Sequence, residues 1–297
     1  MTLHRPHGSL TDGADPVALT ADDAGWTFTG LRVLALAPAV GRTLATGDSE
    51  ACILPLSATD VVVHCDGEQY LLAGRPTVFA RVTDFAYVPR DSMVTIESAS
   101  GGEVAIASAR CGRRLAPRYG SAEDVAVEIR GAGPATRQVT NFLSPEVWDH
   151  ADKLMCVELL TPDGNWSSYP PHRHDDSPEC PVNNEEIYYF RIGQAGTTAI
   201  SREGFDIHRT YTPDGSIDEN VVIGDGDVFL VPRGYHGPCI AAPGYPMYYL
   251  NVLAGPGGER SMAFCDDPTH HWVRSSWTAL APDPRVPMTS HDGVVAR

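Results

Sequence analysis

Short apolar runs, separated by glycine, proline and polar turn residues, make up most of this 297-residue chain. The runs are rich in Val, Ile, Tyr and Phe, and each is about the length of one β-strand. Strands are predicted over residues 30–36, 51–56, 61–65, 77–81, 85–88, 93–98, 104–109, 155–160, 187–190 and 228–231. Long amphipathic helical stretches are not evident. The pattern therefore predicts an all-β protein built from many short strands and turns.

A change of composition near the middle of the chain divides it into two β units. Residues 121–134 are charged and Gly-rich, which indicates a crossing between the units, while residues 1–25 are polar and indicate an irregular arm. Both halves carry a Val-Pro-Arg turn, at 88–90 and 231–233, which is a faint sign of duplication. The predicted organisation is an arm over 1–25, an N-terminal unit over 26–136 and a C-terminal unit over 137–297.

The segment SSYPPHRHDDSPECPVNNEEIYYF contains the strongest chemical signal in the sequence. His172 and His174 are two residues apart, so an extended backbone presents both imidazoles on one face. A later histidine, His236, follows an apolar strand and a Pro-Arg-Gly turn. The nearby carboxylates that could complete the set are Glu179, Glu185 and Glu186. Such a mixed nitrogen and oxygen site suits zinc, manganese, iron or nickel.

Five runs, SSYPPHRHD, EEIYYF, RTYTPDGSIDE, GDVFLVPRGYHG and PGYPMYYLNVLAGP, together resemble the 5-deoxy-glucuronate isomerases of inositol catabolism. These are relatives of the 5-keto-4-deoxyuronate isomerases of pectin breakdown. The resemblance is specific between about residues 165 and 272 and weaker in the first half. It implies two tandem cupin barrels (double-stranded β-helix or jelly-roll), with a structural N-terminal barrel and one metal site in the C-terminal barrel. It also implies a metal-dependent aldose–ketose isomerase that converts 5-deoxy-D-glucuronate to 5-dehydro-2-deoxy-D-gluconate.

Carried over residue by residue, the resemblance places the metal ligands on His172, His174, Glu186 and His236. Glu186 is favoured because in the family the glutamate stands directly before the aromatic strand, here residues 187–190. Glu179 has the shorter spacing of the general cupin motif and remains the alternative. The implied cofactor is a divalent metal ion, with zinc favoured over manganese, iron and nickel.

An aldose–ketose isomerisation moves a proton between neighbouring carbons through an enediol. A Schiff-base route is disfavoured because Lys153 is the only lysine and lies outside the motifs. The predicted base is Glu179 or Glu185, whichever does not bind the metal.

Strand parity predicts two candidate phenol donors in the same reaction. Tyr188 shares the face of Glu186, and Tyr211 shares the face of Arg209. The predicted catalytic set is therefore Glu179, Tyr188, Arg209 and Tyr211.

The formal net charge of −16 argues against nucleic acid as a partner, because a phosphate backbone needs a basic face. A deoxyuronate sugar is itself an anion, so its site must supply local positive charge beyond the metal. Arginine matches a carboxylate with a planar fork. The candidates near the motifs are Arg173, Arg191, Arg209 and Arg233.

Location and assembly are predicted from simpler features. The N-terminus MTLHRPHGSLTDG lacks an apolar leader core, and no run of eighteen apolar residues occurs, which predicts no membrane span. Seven scattered cysteines favour reduced thiols and a cytoplasmic location. A homo-oligomer is a further hypothesis, since cupin barrels expose strand edges.

Two departures from the family pattern leave the substrate open to change. Gly237 stands between His236 and Pro238, and residues 191–204 form a diverged or extended loop. Two alternative functions that the same fold and ligands allow remain open at the level of sequence. They are a cupin iron oxygenase and a cupin that binds a sugar without turnover.

Overall fold

Antiparallel β-strands dominate the structure, a computed structural model that describes residues 2–295. Met1, Ala296 and Arg297, at the ends of the expected arm and C-terminal barrel, lie outside the described residues. The first eleven strands are β1 (His4–Arg5), β2 (Val17–Leu19), β3 (Thr29–Leu36), β4 (Arg42–Ala45), β5 (Ser49–Pro55), β6 (Thr59–Cys65), β7 (Glu68–Gly74), β8 (Phe85–Val88), β9 (Met93–Ser98), β10 (Gly102–Arg110) and β11 (Arg118–Gly120).

The remaining strands are β12 (Ala126–Arg130), β13 (Arg137–Asn141), β14 (Met155–Thr161), β15 (Trp166–Ser167), β16 (His172–Arg173), β17 (Glu185–Ile192), β18 (Asp206–Tyr211), β19 (Asp218–Ile223), β20 (Val228–Val231), β21 (Cys239–Ala241), β22 (Met247–Ala254), β23 (Cys265–Asp266), β24 (Thr289–Ser290) and β25 (Gly293–Val294). Helical structure is limited to short pieces, namely α1 (Ala21–Ala24), α2 (Val273–Ser276) and the 3₁₀ turns Ala122–Asp124, Gly133–Ala135 and Trp277–Ala279.

Each half of the chain forms a pair of packed sheets. In the first half, a six-stranded sheet ordered β11-β8-β5-β10-β3-β2 packs on a four-stranded sheet ordered β4-β9-β6-β7. In the second half, a seven-stranded sheet ordered β1-β20-β17-β22-β14-β13-β12 packs on a four-stranded sheet ordered β15-β21-β18-β19. Antiparallel sheets that enclose a core between them bear out the predicted all-β class.

A third core joins the two large sheets back to back. It contains Leu31 and Leu54 from the first half and Ile187 and Leu250 from the second, all nearly inaccessible to solvent. Strands β17 and β22 therefore bury side chains on both faces, which explains why their sequences read as continuous apolar runs rather than alternating ones.

The parity of β17 sends its two glutamates to opposite sides of the sheet. The Glu185 carboxylate accepts hydrogen bonds from the backbone N–H groups of Thr27, Phe28 and Thr29, at 2.7, 2.9 and 2.9 Å. Glu185 therefore ties the second half to the first. Glu186 faces the interior of the second half, where the site lies.

Two differences from the prediction concern the region between the sheets and the expected crossing. Residues 77–81 form a turn closed by a hydrogen bond from Ala80 N to Thr77 O at 3.1 Å, so the predicted strand there was wrong. Val78 and Phe79 are apolar because they fill the core between the large sheets, which requires burial but no strand. The charged segment around residue 126 contains β12, which pairs with β13 in the large C-terminal sheet.

The arm over 1–25 is also partly ordered. Strand β1 pairs with β20 of the second half, and β2 pairs with β3 of the first. The arm therefore bridges both halves, while the expected boundary at residue 136 stays a prediction. Among the described residues, no helix combines the length and the apolar character needed to cross a membrane.

Candidate metal centre

Two of the predicted ligands are held together by the backbone itself. His172 lies in the short strand β16, and its N–H donates to His236 O at 3.1 Å. The N–H of His236 donates back to His172 O at 2.9 Å. With His174 two residues along on the same face, the three rings bring their nitrogens within 4.8 Å of one another.

Glu186 completes this group from the start of β17. Its Oε2 lies 3.0 Å from Nε2 of His174 and 2.9 Å from Nε2 of His236. The glutamate is 2% exposed, so its carboxylate points into the C-terminal unit. Four side chains from three separate segments thus converge on one point.

The outer nitrogens of two rings are occupied by carbonyl groups. Nδ1 of His174 lies 3.1 Å from Asn184 O, and Nδ1 of His236 lies 2.8 Å from Gly234 O. A ring that donates from Nδ1 directs the lone pair of Nε2 inward, the arrangement that metal-binding histidines favour. Among the described residues, buried Nε2 of His236 makes no hydrogen bond, although Glu186 lies close to it.

The electrostatics of the group suit a cation. Burial, together with the neighbouring His236 and His174 rings, holds the pKa of His172 well below its usual value. Burial alone would raise the pKa of Glu186, but the neighbouring His174 and His236 rings outweigh it and keep that pKa well below its usual range. A carboxylate and a neutral imidazole are the forms that bind a divalent metal. Burial lowers the pKa of His174, but its hydrogen bond with Glu186 outweighs this, so that pKa is raised. Donor type and convergence therefore fit such an ion.

A cavity of about 570 Å³ opens beside this group. His172, His174 and Glu186 form part of its wall, and the inner face of the large sheet forms much of the rest. Other polar groups in its lining include Glu128, Arg130, Arg137, Glu146, Asn251 and Arg274. This volume falls within the range of about 300–1,000 Å³ typical of small-molecule sites.

Tyr188 lies inside the C-terminal unit on the same face as Glu186, as strand parity predicts. Its ring stacks on Tyr249 with centroids 4.9 Å apart, and its centroid is 6.3 Å from that of His236. The buried hydroxyl makes no hydrogen bond to any of residues 2–295. Tyr188 is thus close to the ligand group but is not part of the cavity wall described above.

The other three predicted catalytic residues are not brought to this cavity. The Glu179 side chain is 59% exposed and forms an ion pair with Arg173. Arg209 lies 4.6 Å over the Tyr211 ring on the outer face of β18, and the Tyr211 hydroxyl donates to Asp267 Oδ2 at 2.5 Å. Parity placed Arg209 and Tyr211 on one face, but that face is the outer one, because His208 and Thr210 occupy the interior.

The arginines singled out by their closeness to the motifs have other partners. Arg173 pairs with Glu179, Arg191 with Asp225 and Glu103, Arg209 with Asp218, and Arg233 with the Ser216 hydroxyl. The cavity is instead lined by Arg130, Arg137 and Arg274. These three arginines lie outside the sequence motifs, so the sequence did not predict them. Strands β12 and β13 carry Arg130 and Arg137 to the cavity, and α2 carries Arg274.

Gly237, the residue that interrupts the family turn, packs directly against a ligand. It has a positive φ of +99°, and a Cβ built there would lie 2.7 Å from Ser168 O and 2.9 Å from His172 Cε1. We expect Gly237→Ala to cost about 1–3 kcal/mol in stability and to displace the His172 ring. Thermal unfolding and metal titration of the variant measure both effects. Gly244→Ala, also at positive φ but with open space around it, is the control for backbone strain alone. Equal metal affinity in the two variants would contradict the expected contact with His172.

A packed pair of β-sheets with three histidines and a glutamate on its inner side defines a cupin-type protein whose histidine group can hold a metal ion. The chain belongs to the KduI/IolB family, whose model matches residues 3–273. This assignment bears out the resemblance seen in the sequence. It extends that resemblance well into the first half.

Individual relatives agree with the family assignment. The chain is 41% identical over 277 residues to a 5-deoxy-glucuronate isomerase of Geobacillus kaustophilus, covering 91% of this chain and 95% of the relative. It is 35% identical over 258 residues to that of Bacillus subtilis, covering 86% of this chain and 91% of the relative.

Solved structures agree on the fold. An IolB-like protein from Salmonella typhimurium superposes with a TM-score of 0.81 at 31% identity, covering 92% of this chain and 99% of that one. An oxalate decarboxylase from Lactobacillus farciminis gives a TM-score of 0.62 at 11% identity, covering 90% of this chain and 88% of that one. At such low identity the second likeness concerns the fold alone.

Proposed function

We propose that this protein is a metal-dependent aldose–ketose isomerase that converts 5-deoxy-D-glucuronate to 5-dehydro-2-deoxy-D-gluconate in myo-inositol catabolism. The observation that carries the proposal is the convergence of His172, His174, His236 and Glu186 at the wall of a cavity large enough for a six-carbon sugar acid. Relatives that match along most of their length carry the name of this isomerase. Zinc is the metal that we propose for the site.

The reaction moves two protons within one molecule. The proton on C2 of the aldose passes to C1, and the hydroxyl proton on O2 passes to O1, through an enediol in which neither carbon is a carbonyl. The proposed ligands are His172, His174, Glu186 and His236. A divalent ion bound there supplies Lewis acidity, which stabilises negative charge on the substrate oxygens.

The chain's own residues restrict how the proton on carbon is carried. The lone lysine, Lys153, donates to Gly257 O and is not among the residues that line the cavity, which disfavours a Schiff base. The Glu185 carboxylate is taken up by backbone N–H groups, and that of Glu179 pairs with Arg173 at the surface. Of the carboxylates that line the cavity, Glu186 is a proposed ligand and Glu128 pairs with Arg130, which leaves Glu146 as the proposed base.

The cavity also controls water. Its wall between the polar groups is apolar, formed by Val139, Val157, Leu159 and Leu253 on the inner face of the sheet together with Met262. Excluding water from these surfaces strengthens electrostatic contacts with the substrate and protects an enediol from side reactions.

The test is to incubate zinc-loaded and chelator-stripped protein anaerobically with 5-deoxy-D-glucuronate and to follow the sugar by NMR. We expect the zinc-loaded protein to form the ketose and the stripped protein to form none. Glu179→Gln is expected to retain turnover within about threefold, since its partner lies outside the cavity. No conversion by zinc-loaded protein would overturn the proposal. Consumption of sugar only with oxygen would indicate an oxygenase, and binding without turnover would indicate a sugar-binding cupin.

A further inference from the structure

Arg137, at the start of β13, is a buried arginine without a carboxylate partner. The residue is 4% exposed and lines the same cavity as the histidine group. Among residues 2–295, its guanidinium donates one hydrogen bond, from Nη1 to Ala135 O at 3.1 Å, while the buried Nε has no acceptor. Burial lowers its pKa to about 10, so it remains charged near neutral pH.

The neighbouring arginines show how different this situation is. Arg130 forms a two-point pair with Glu128, at 2.9 and 2.6 Å. Arg274 forms a two-point pair with Asp266, at 2.5 and 2.6 Å. Both charges are therefore balanced within the chain, whereas no ion pair joins Arg137 to any of the described residues.

An unbalanced guanidinium at a cavity wall costs stability unless it serves a ligand. Removing a charge from water is unfavourable when no counterion replaces the lost hydration. A chain with 38 acidic and 22 basic residues has many carboxylates available to pair with it. The free donors of Arg137 thus indicate that the counterion comes from outside the chain.

We propose that Arg137 binds the carboxylate of the sugar acid in the cavity that it shares with the histidine group. The inference rests on the proposed function, which supplies a substrate with a carbonyl at one end and a carboxylate at the other. A guanidinium matches a carboxylate through two parallel N–H···O bonds, which fixes orientation as well as charge. Arg137 is thus a substrate-binding residue that sets the preference for an acid over a neutral sugar.

A second unpaired group in the wall is consistent with a polyhydroxylated ligand. Asn251 in β22 is 7% exposed and lines the cavity. Its Oδ1 accepts no hydrogen bond from the described residues. A sugar hydroxyl is a donor that such an oxygen can take. The cavity therefore offers a cation at one wall and an open acceptor at another.

The experiment compares two substrates and two proteins. The substrates are 5-deoxy-D-glucuronate and the neutral sugar in which a hydroxymethyl group replaces the carboxylate. For Arg137→Gln we expect KM for the acid to rise about a hundredfold, because charge-assisted hydrogen bonds are lost. For the neutral sugar we expect kcat/KM to stay within about threefold of wild type. Arg137→Lys should recover part of the loss, since it restores charge but not the planar fork.

Controls separate binding from folding. Arg110→Gln removes an arginine of the first half that pairs with Asp22 and Asp48 and does not line the cavity, so it should change KM by less than about threefold. Thermal unfolding and zinc content of each variant report on folding and on the metal site. If Arg137→Gln does not fold, Arg137→Lys provides the test. Its kcat/KM for the acid should fall more than its kcat/KM for the neutral sugar. An equal loss on both substrates would overturn the inference and leave Arg137 a structural residue.

Failure of the proposed function is distinguished by calorimetric titration of the acid into zinc-loaded protein. If wild type turns over neither sugar but binds the acid, and Arg137→Gln loses that binding, the inference stands while the proposed reaction falls. Unchanged binding of the acid by Arg137→Gln would overturn the inference whatever the turnover.

Discussion

Replacing His174 with alanine is expected to remove metal from the protein and to lower isomerase turnover by about a thousandfold. Nε2 of His174 lies 3.0 Å from Glu186 Oε2, and the ring is 5% exposed, so no neighbouring side chain can take its place without rearrangement. A catalytic metal contributes several kcal/mol of transition-state stabilisation, and each 1.4 kcal/mol corresponds to about tenfold in rate. Metal content by elemental analysis and anaerobic turnover by NMR measure the two effects.

A matched control for this variant lies in the same unit. His208 is equally buried in β18, but its ring nitrogens contact Cys239 Sγ and Thr210 Oγ1, at 2.9 Å each, rather than the glutamate. His208→Asn should lower stability and keep the metal. Full metal content in His174→Ala, or loss of metal in both variants to the same extent, would show that the proposed ligand group is wrong.

The fold was largely predictable because strand signals are local. Runs such as 30–36, 85–88 and 93–98 carry their own β-forming residues and turn punctuation, and the structure has strands there. The strand predicted at residues 77–81 was wrong for a physical reason. Burial between two sheets selects apolar residues whatever their backbone conformation. Strand β12 was missed although it forms a local hairpin with β13, because it is an exposed edge strand whose charged sequence lacks an apolar run.

The site was predictable where its residues share a segment or a motif. Strand parity gave the opposite directions of Glu185 and Glu186, and the motif gave the three histidines that the structure brings together. Parity also gave a shared face for Arg209 and Tyr211, but it cannot say which face lines a cavity. Arg137 was not predicted from the sequence. Its distinguishing feature is that it has no carboxylate partner among the described residues, and only the three-dimensional structure shows which residues pair.

Replacing Arg75 with methionine is expected to lower the stability of the protein by about 3–5 kcal/mol. Arg75, which follows β7, is 2% exposed and forms an ion pair with Glu158 of β14, which is 3% exposed. The pair joins the two halves, and the Tyr248 hydroxyl donates to the same carboxylate at 2.6 Å. Methionine fills much of the same volume, so the loss comes mainly from an uncompensated buried carboxylate. Thermal unfolding should show a midpoint lower by about 10 °C.

A double variant tests whether that carboxylate is the cause. In Arg75→Met/Glu158→Gln the buried charge is gone, and Tyr248 keeps an oxygen acceptor on the glutamine amide. We expect the double variant to be more stable than Arg75→Met alone, because breaking a buried pair costs more than replacing both partners. Arg75 also donates to Pro55 O at 3.0 Å, so recovery should remain incomplete. A double variant no more stable than Arg75→Met would mean that the loss comes from the hydrogen bond to Pro55 within the first half, rather than from the uncompensated Glu158 carboxylate.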